Sequence, residues 1–338
     1  MKKSLIALAV LAAAGAASAQ SSVTLYGMVD AYAGSIKDTL STTSTKINDN
    51  TSVIGSGGLK TNRFGLKGSE DLGGGLKANF VLESGFSIDS GNQSVAGNQF
   101  NREASVGLSG NFGSIKAGRM LNAYDSLRGD FNNSANLNIA VTRDAIKALK
   151  GTDTIGDYTD FQSNVVRFDS AVYNGFSGSV SYSAGEKAAT PNPNAAGLYL
   201  KYANGPLAVG YAFDREYSST GVKNKLNQVG ASYDFGVAKL VGSYQTVKAD
   251  TGAKDENKSY QLGVSAPVAG VNLYAGYLNG KLENAAGVEV RKVTGYDLAA
   301  SYPLSKRTDA YVGYESVKQK LDQTGEKKLF AAGVRHVF

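Results

Sequence analysis

The 338-residue chain contains no cysteine, no tryptophan, one histidine and only five prolines. Without cysteine there is no disulfide framework and no thiolate metal site. A lone His336 leaves a Ser-His-Asp arrangement a single possible base, and a zinc site too few ligands. Scarce proline argues against a disordered linker protein. After residue 19 there is no apolar run of 18 residues, so no membrane helix is expected. A phosphate loop is also missing: GSGGLKT at 55–61 is Gly-rich but lacks the G-K-[ST] ending. No cofactor or metal is therefore expected.

What is present begins with MKKSLIALAVLAAAGAASAQ. Lys2 and Lys3 precede an apolar stretch from Leu5 to Ala17, and Ala17-Ser18-Ala19 matches an A-x-A cleavage site. Residues 1–19 read as a secretory signal peptide and 20–338 as the exported domain. Removing Lys2 and Lys3 takes the net charge from +6 to +4. That is too mild and too evenly spread for a nucleic-acid binder.

Glycine, at 41 residues, is about 12% of the chain against a usual ~7%. Tyrosine reaches 19. With Val and Ser abundant, this composition predicts many short strands and tight turns. Alternation of period two recurs, as in SVTLYGMVDAY, GFSGSVSYSA and DAYVGYESV. Short turns such as Asn174-Gly175 alternate with long polar connections, including Gly34 to Gly58 and Asn279 to Arg291. The spacing predicts sixteen strands, from 23–33 to 328–338. An open sheet of that width would expose two long edges. A closed barrel removes the edges, satisfies every backbone group in lipid, and has a lumen too wide for side chains to fill. The expected fold is all-β: a 16-stranded antiparallel transmembrane barrel, apolar outside and polar inside. Its last strand should close against SVTLYG, with Phe338 at the turn-side rim and Arg335 in the lumen.

Several stretches resemble the general porins of Gram-negative outer membranes, most closely the betaproteobacterial and neisserial branch. They are SVTLYGMVDAY, NRFGLKGSEDLGGGLKANFVLESGF at 62–86, FNREASVGLSGNFGSIKAGR at 100–119, NVVRFDS at 164–170 and the terminal AGVRHVF. The resemblance spans the mature chain. It implies a homotrimer in the outer membrane, in contact with lipid and lipopolysaccharide, passing ions and small hydrophilic solutes. It also implies a third loop folded into the lumen, which the long segment from about 120 to 163 matches. TRDAIKALK within that segment is expected to make one or two helical turns. Phe338 would be read by the barrel-assembly machinery.

Carried over residue by residue, the resemblance makes Arg63, Arg102 and Arg167 wall cations of the pore constriction. Lys67 shares the inward parity of Arg63. Glu83 matches an acidic wall position, and Asp125 and Asp130 are the nearest acidic candidates in the loop. Arg102 shares parity with Val106 and Leu108, which strict alternation turns outward; a bulge near Gly107 is the expected rescue. Met28 stands where enteric relatives carry a basic residue. The expected function is a diffusion channel with mild anion preference and no catalysis. The alternative is a substrate-selective channel on the same barrel, distinguished by saturable block of conductance by one solute.

Overall fold

The computed structural model describes residues 22–40, 46–131, 159–185, 194–217, 221–250, 255–322 and 324–338. The proposed signal peptide and the TRDAIKALK stretch lie outside them. Within the described residues the chain forms one sheet of seventeen strands and a single short helix. The strands are β1 (Ser22–Asp38), β2 (Ile47–Ser56), β3 (Arg63–Gly73), β4 (Leu76–Gly85), β5 (Glu103–Gly110) and β6 (Gly113–Leu121). Helix α1 (Asp125–Phe131) follows, then β7 (Phe161–Ser170), β8 (Phe176–Ser183), β9 (Ala195–Asn204), β10 (Leu207–Tyr217), β11 (Lys223–Asp234) and β12 (Lys239–Asp250). The last five are β13 (Glu256–Val268), β14 (Val271–Glu283), β15 (Glu289–Pro303), β16 (Thr308–Leu321) and β17 (Gly325–Val337).

Every pairing is antiparallel; the ladders join chain neighbours except that β1 also pairs with β3, and β17 returns to pair with β1 from Met28↔Val337 to Asp38↔Lys327. The sheet is closed. β2 and β3 divide one position between them: β2 pairs with the upper half of β1, and β3 with its lower half. Counting them as one stave gives the sixteen-strand barrel. The stretch from Gly34 to Gly58 is thus not the loop that alternation suggested. β1 runs on to Asp38 and β2 occupies Ile47–Ser56. IKD and INDNTS carry too little apolar alternation to register as strand; pairing to β1 makes them one.

The break between β2 and β3 is held by side chains. Asp30 accepts hydrogen bonds from the backbone amides of Gly58, Leu59 and Lys60 at 2.8–3.0 Å and from the Tyr311 hydroxyl at 2.6 Å. Asn62 takes the ladder bonds of Asp30, accepting from its amide and donating to its carbonyl at 3.0 Å. A buried backbone group needs a partner, and here an asparagine amide substitutes for a strand.

One parity of each strand is apolar and faces out: Leu262, Leu298 and Phe330 are 58%, 55% and 51% exposed. The other parity faces in. It is not uniformly polar, contrary to expectation. Leu278, Leu282, Val293 and Val317 point inward with Leu40 and form a buried apolar cluster. Leu226 and Val247 do the same beneath α1. Leu40, from the connection between β1 and β2, packs on the first group, and Leu127 and Phe131 of α1 pack on the second. The short turns, at 73–76, 110–113 and 204–207 among others, all lie at the end opposite the long connections. In the Asn174-Gly175 turn both residues take positive φ, 48° and 85°, the two-residue hairpin geometry that Asn-Gly favours.

Candidate functional site

The inner wall of β1, β3 and β4 brings the first group of charges together. Tyr26, Gly65 and Glu83 lie side by side across the three strands. A Cβ on Gly65 would stand 2.9 Å from the Tyr26 ring and 2.7 Å from the Leu82 carbonyl. Its absence lets the Tyr26 hydroxyl cross the strand and donate to Glu83 Oε2 at 3.0 Å. Arg102 Nε donates to the other oxygen, Oε1, at 2.6 Å, and Arg63 Nε lies 3.5 Å from Oε2. Glu83 is thus held between two arginines.

Arg102 reaches this position without a bulge. The β4–β5 and β5–β6 registers run without a shift through Gly107. Arg102 precedes β5, in a bend where parity does not apply, and its guanidinium lies 4.8 Å from the Phe161 ring centre. Lys67 stands over the Tyr26 ring at 5.0 Å, one row nearer the turn end.

Arg63 also lies within electrostatic reach of Arg335 and Lys60. Arg335 is bonded to Asp309 through Nη2 at 2.5 Å and Nε at 3.0 Å. Lys60 and Arg335 were not among the site residues the sequence offered. Arg335 had the right parity, but nothing in sequence placed Lys60 beside it, since that depends on the break between β2 and β3.

Arg167, on β7, stands apart from this group. Its Nε and Nη2 donate to Asp169 Oδ1 at 2.9 and 2.6 Å. Its Nη1 donates to the carbonyls of Leu121 and Asn122 at 3.0 and 2.9 Å, and Nη2 to Ser126 Oγ at 2.8 Å. All of these lie at the start of the long segment after β6. Asn122 in turn caps α1, its Oδ1 accepting from the Asp125 amide at 2.9 Å.

Helix α1 rests on the inward face of β10–β12. Leu127 and Phe131 pack with Ala212, Leu226 and Val247. The Phe131 ring fills the space above Gly210 and Gly230, where a Cβ would come within 2.7 Å of it. Asp125 and Asp130 bond to groups on α1 and β9. Asp125 pairs with Arg128 at 2.7 Å, in the next turn of the helix. Asp130 accepts from the Tyr199 hydroxyl at 2.5 Å and pairs with Lys201 at 3.0 Å. DSLRGDF carries a helix no sequence signal had marked; Asn122 and the apolar pair Leu127 and Phe131 are the cues that would have found it.

A closed barrel with a charged interior leaves few alternatives, and comparison with known proteins decides among them. The chain matches the Gram-negative porin family over residues 5–322. It belongs to that family. Outer membrane porin protein 32 of Delftia acidovorans is 36% identical over 99% of this chain and 95% of its own length. The major outer membrane protein P.IB of Neisseria meningitidis is 30% identical over the whole of both. Among solved structures, the anion-selective porin from Comamonas acidovorans superposes with a TM-score of 0.79 at 30% identity, covering 94% of this chain and all of that one. This porin is therefore an outer-membrane channel protein, and its relatives are channels rather than enzymes.

Proposed function

We propose that this porin passes ions and small hydrophilic solutes by passive diffusion, with a mild preference for anions. The observation that carries the preference is the wall group around Glu83. Arg63, Arg102, Arg335 and Lys60 outnumber the carboxylates among them, Glu83, Asp309 and the buried Asp30. A positive wall in a narrow aqueous passage raises the local concentration of anions. The similarity to an anion-selective porin supports the same sign.

The segment from about 120 to 163 is proposed to narrow the lumen, because α1 is seated on the inward wall opposite this group. Arg167, on β7, acts as a clamp on it: its charge is matched by Asp169 and its remaining donors hold the segment's backbone. Asp125 and Asp130 fasten the helix, and Lys67 adds positive charge toward the turn end. A homotrimer, with Phe338 recognised during barrel assembly, completes the reading.

The test is the reversal potential of a planar bilayer under a salt gradient. The wild type should favour the anion. Arg63→Gln with Arg102→Gln should move the potential toward the cation, and Glu83→Gln should move it further toward the anion. An unchanged potential in both variants overturns the assignment.

A further inference from the structure

At the Gly-rich stretch GSGGLKT the wall folds into its own lumen. β2 ends at Ser56 and β3 begins at Arg63, and the residues between them belong to no strand. Leu59 is buried among Tyr311, Leu329 and Ala331, inward side chains of β16 and β17. Gly57 turns the chain with a φ of 76°, a region that favours glycine. A Cβ on Gly58 would run into the Tyr311 hydroxyl. Asp30, bonded to the amides of Gly58, Leu59 and Lys60, fixes the backbone in this place.

The fold carries one charged side chain, Lys60, and sets it among cations. Arg63 on β3 and Arg335 on β17 both act on it through their charge. Arg63 is itself tied to the fold, its Nη1 donating to the Thr61 carbonyl at 3.4 Å. Three carboxylates face the same group, and each is engaged. Asp30 of β1 takes the amides and the Tyr311 hydroxyl, and Asp309 of β16 takes Arg335. Glu83 of β4 takes the Tyr26 hydroxyl, Arg63 and Arg102. A guanidinium keeps its proton to above about 12, so of Lys60, Arg63 and Arg335 only the ammonium can be discharged in ordinary buffers. Burial first, then the charges of Arg335 and Arg63, lower Lys60 from 10.5 to about 8.

Resting on the anion-preference reading of this wall, we infer that the fold at 57–62 is a selectivity switch. Protonated Lys60 adds to the anion preference of the passage, and release of its proton to lumen water removes that contribution. Arg63, Arg102 and Arg335 supply the fixed part of the preference and Lys60 the variable part. Asp30 and Leu59 are positioning residues, because they keep the ammonium pressed beside the guanidiniums.

The experiment measures the reversal potential of the purified porin in planar bilayers, under one salt gradient, from pH ~6 to pH ~10. The anion-to-cation permeability ratio of the wild type should fall by roughly two- to fivefold between pH ~7 and ~9, the weight of one unit charge a few ångströms from a passing ion. Lys60→Arg, whose charge persists, should hold the high ratio throughout, and Lys60→Gln the low one. Leu59→Ala leaves every charge in place and loosens the fold, so the midpoint should move up toward the ordinary lysine value of ~10.4. A merely structural role for Leu59 would leave the midpoint where it is, and that result overturns the positioning. A wild-type ratio that favours anions equally at every pH overturns the switch and leaves the anion-preference reading standing. A ratio that still falls in Lys60→Arg also overturns it, by assigning the change to another group. A wild type without anion preference at pH ~6 overturns the underlying reading, and the switch with it.

Discussion

Gly27 and Phe338 close the barrel on each other. The Gly27 amide donates to the Phe338 carbonyl and the Phe338 amide to the Gly27 carbonyl, both at 3.0 Å. The Phe338 ring covers the outward side of Gly27, where a Cβ would lie 2.5 Å from the ring and 2.6 Å from the Arg63 carbonyl. The last residue is thereby a rung of the ladder as well as a lipid-facing side chain. Gly27→Val is expected to destabilise the barrel by about 1–3 kcal/mol through overpacking. Adding Phe338→Ala should restore only part of the loss, because the Arg63 carbonyl remains in the way. Full recovery in the double variant, measured by thermal unfolding in detergent, would contradict this.

Arg167 ties β7 to the start of the long segment through bonds in several directions. Arg167→Lys keeps the charge yet loses the planar set of donors. Each charged hydrogen bond lost is expected to cost roughly 1.5–3 kcal/mol, reduced where water replaces it. The released segment should be cut faster by protease between residues 120 and 131 in both Arg167→Lys and Arg167→Ala. Equal cleavage rates in wild type and Arg167→Lys would show that charge alone holds the segment.

The seat of Phe131 depends on the missing side chain at position 230. Gly230→Val places carbon within 2.8 Å of the Phe131 ring and Cβ. Sheet and helix cannot both keep their places, so α1 should shift. Single-channel conductance is expected to change, while thermal stability falls by about 1–3 kcal/mol. Phe131→Ala in the same background should return conductance toward that of Phe131→Ala alone.

At the loop end, hydrogen bonds from Lys258 and Lys281 hold the Glu283 carboxyl down to about 2, from an ordinary 4.5. A carboxylate whose folded value is depressed adds stability that is complete above its unfolded value and disappears as pH falls through the folded one. The difference in melting temperature between wild type and Glu283→Gln should therefore be constant above pH ~5 and shrink between pH ~4.5 and ~2. A difference that persists unchanged at the acid limit would place the effect in packing rather than charge.

The sequence by itself determined the barrel. Period-two alternation, alternating short and long connections and the absence of a membrane helix left few other ways to satisfy that many strands. It also determined the outward face of the last strand and the inward parity of Arg63 and Arg167, because parity is a local property. Tertiary structure decided what parity cannot reach. Asp30 and Asn62 stitch β2 to β3 across a break, so a stretch that reads as loop becomes half a stave. Arg102 faces Glu83 from a bend outside the strand, where alternation has no force. Lys258, Lys281, Lys292 and Lys320 are scattered in sequence and become one row only through the register of four strands. Alternation fixes which face a side chain takes; only pairing fixes what stands next to it.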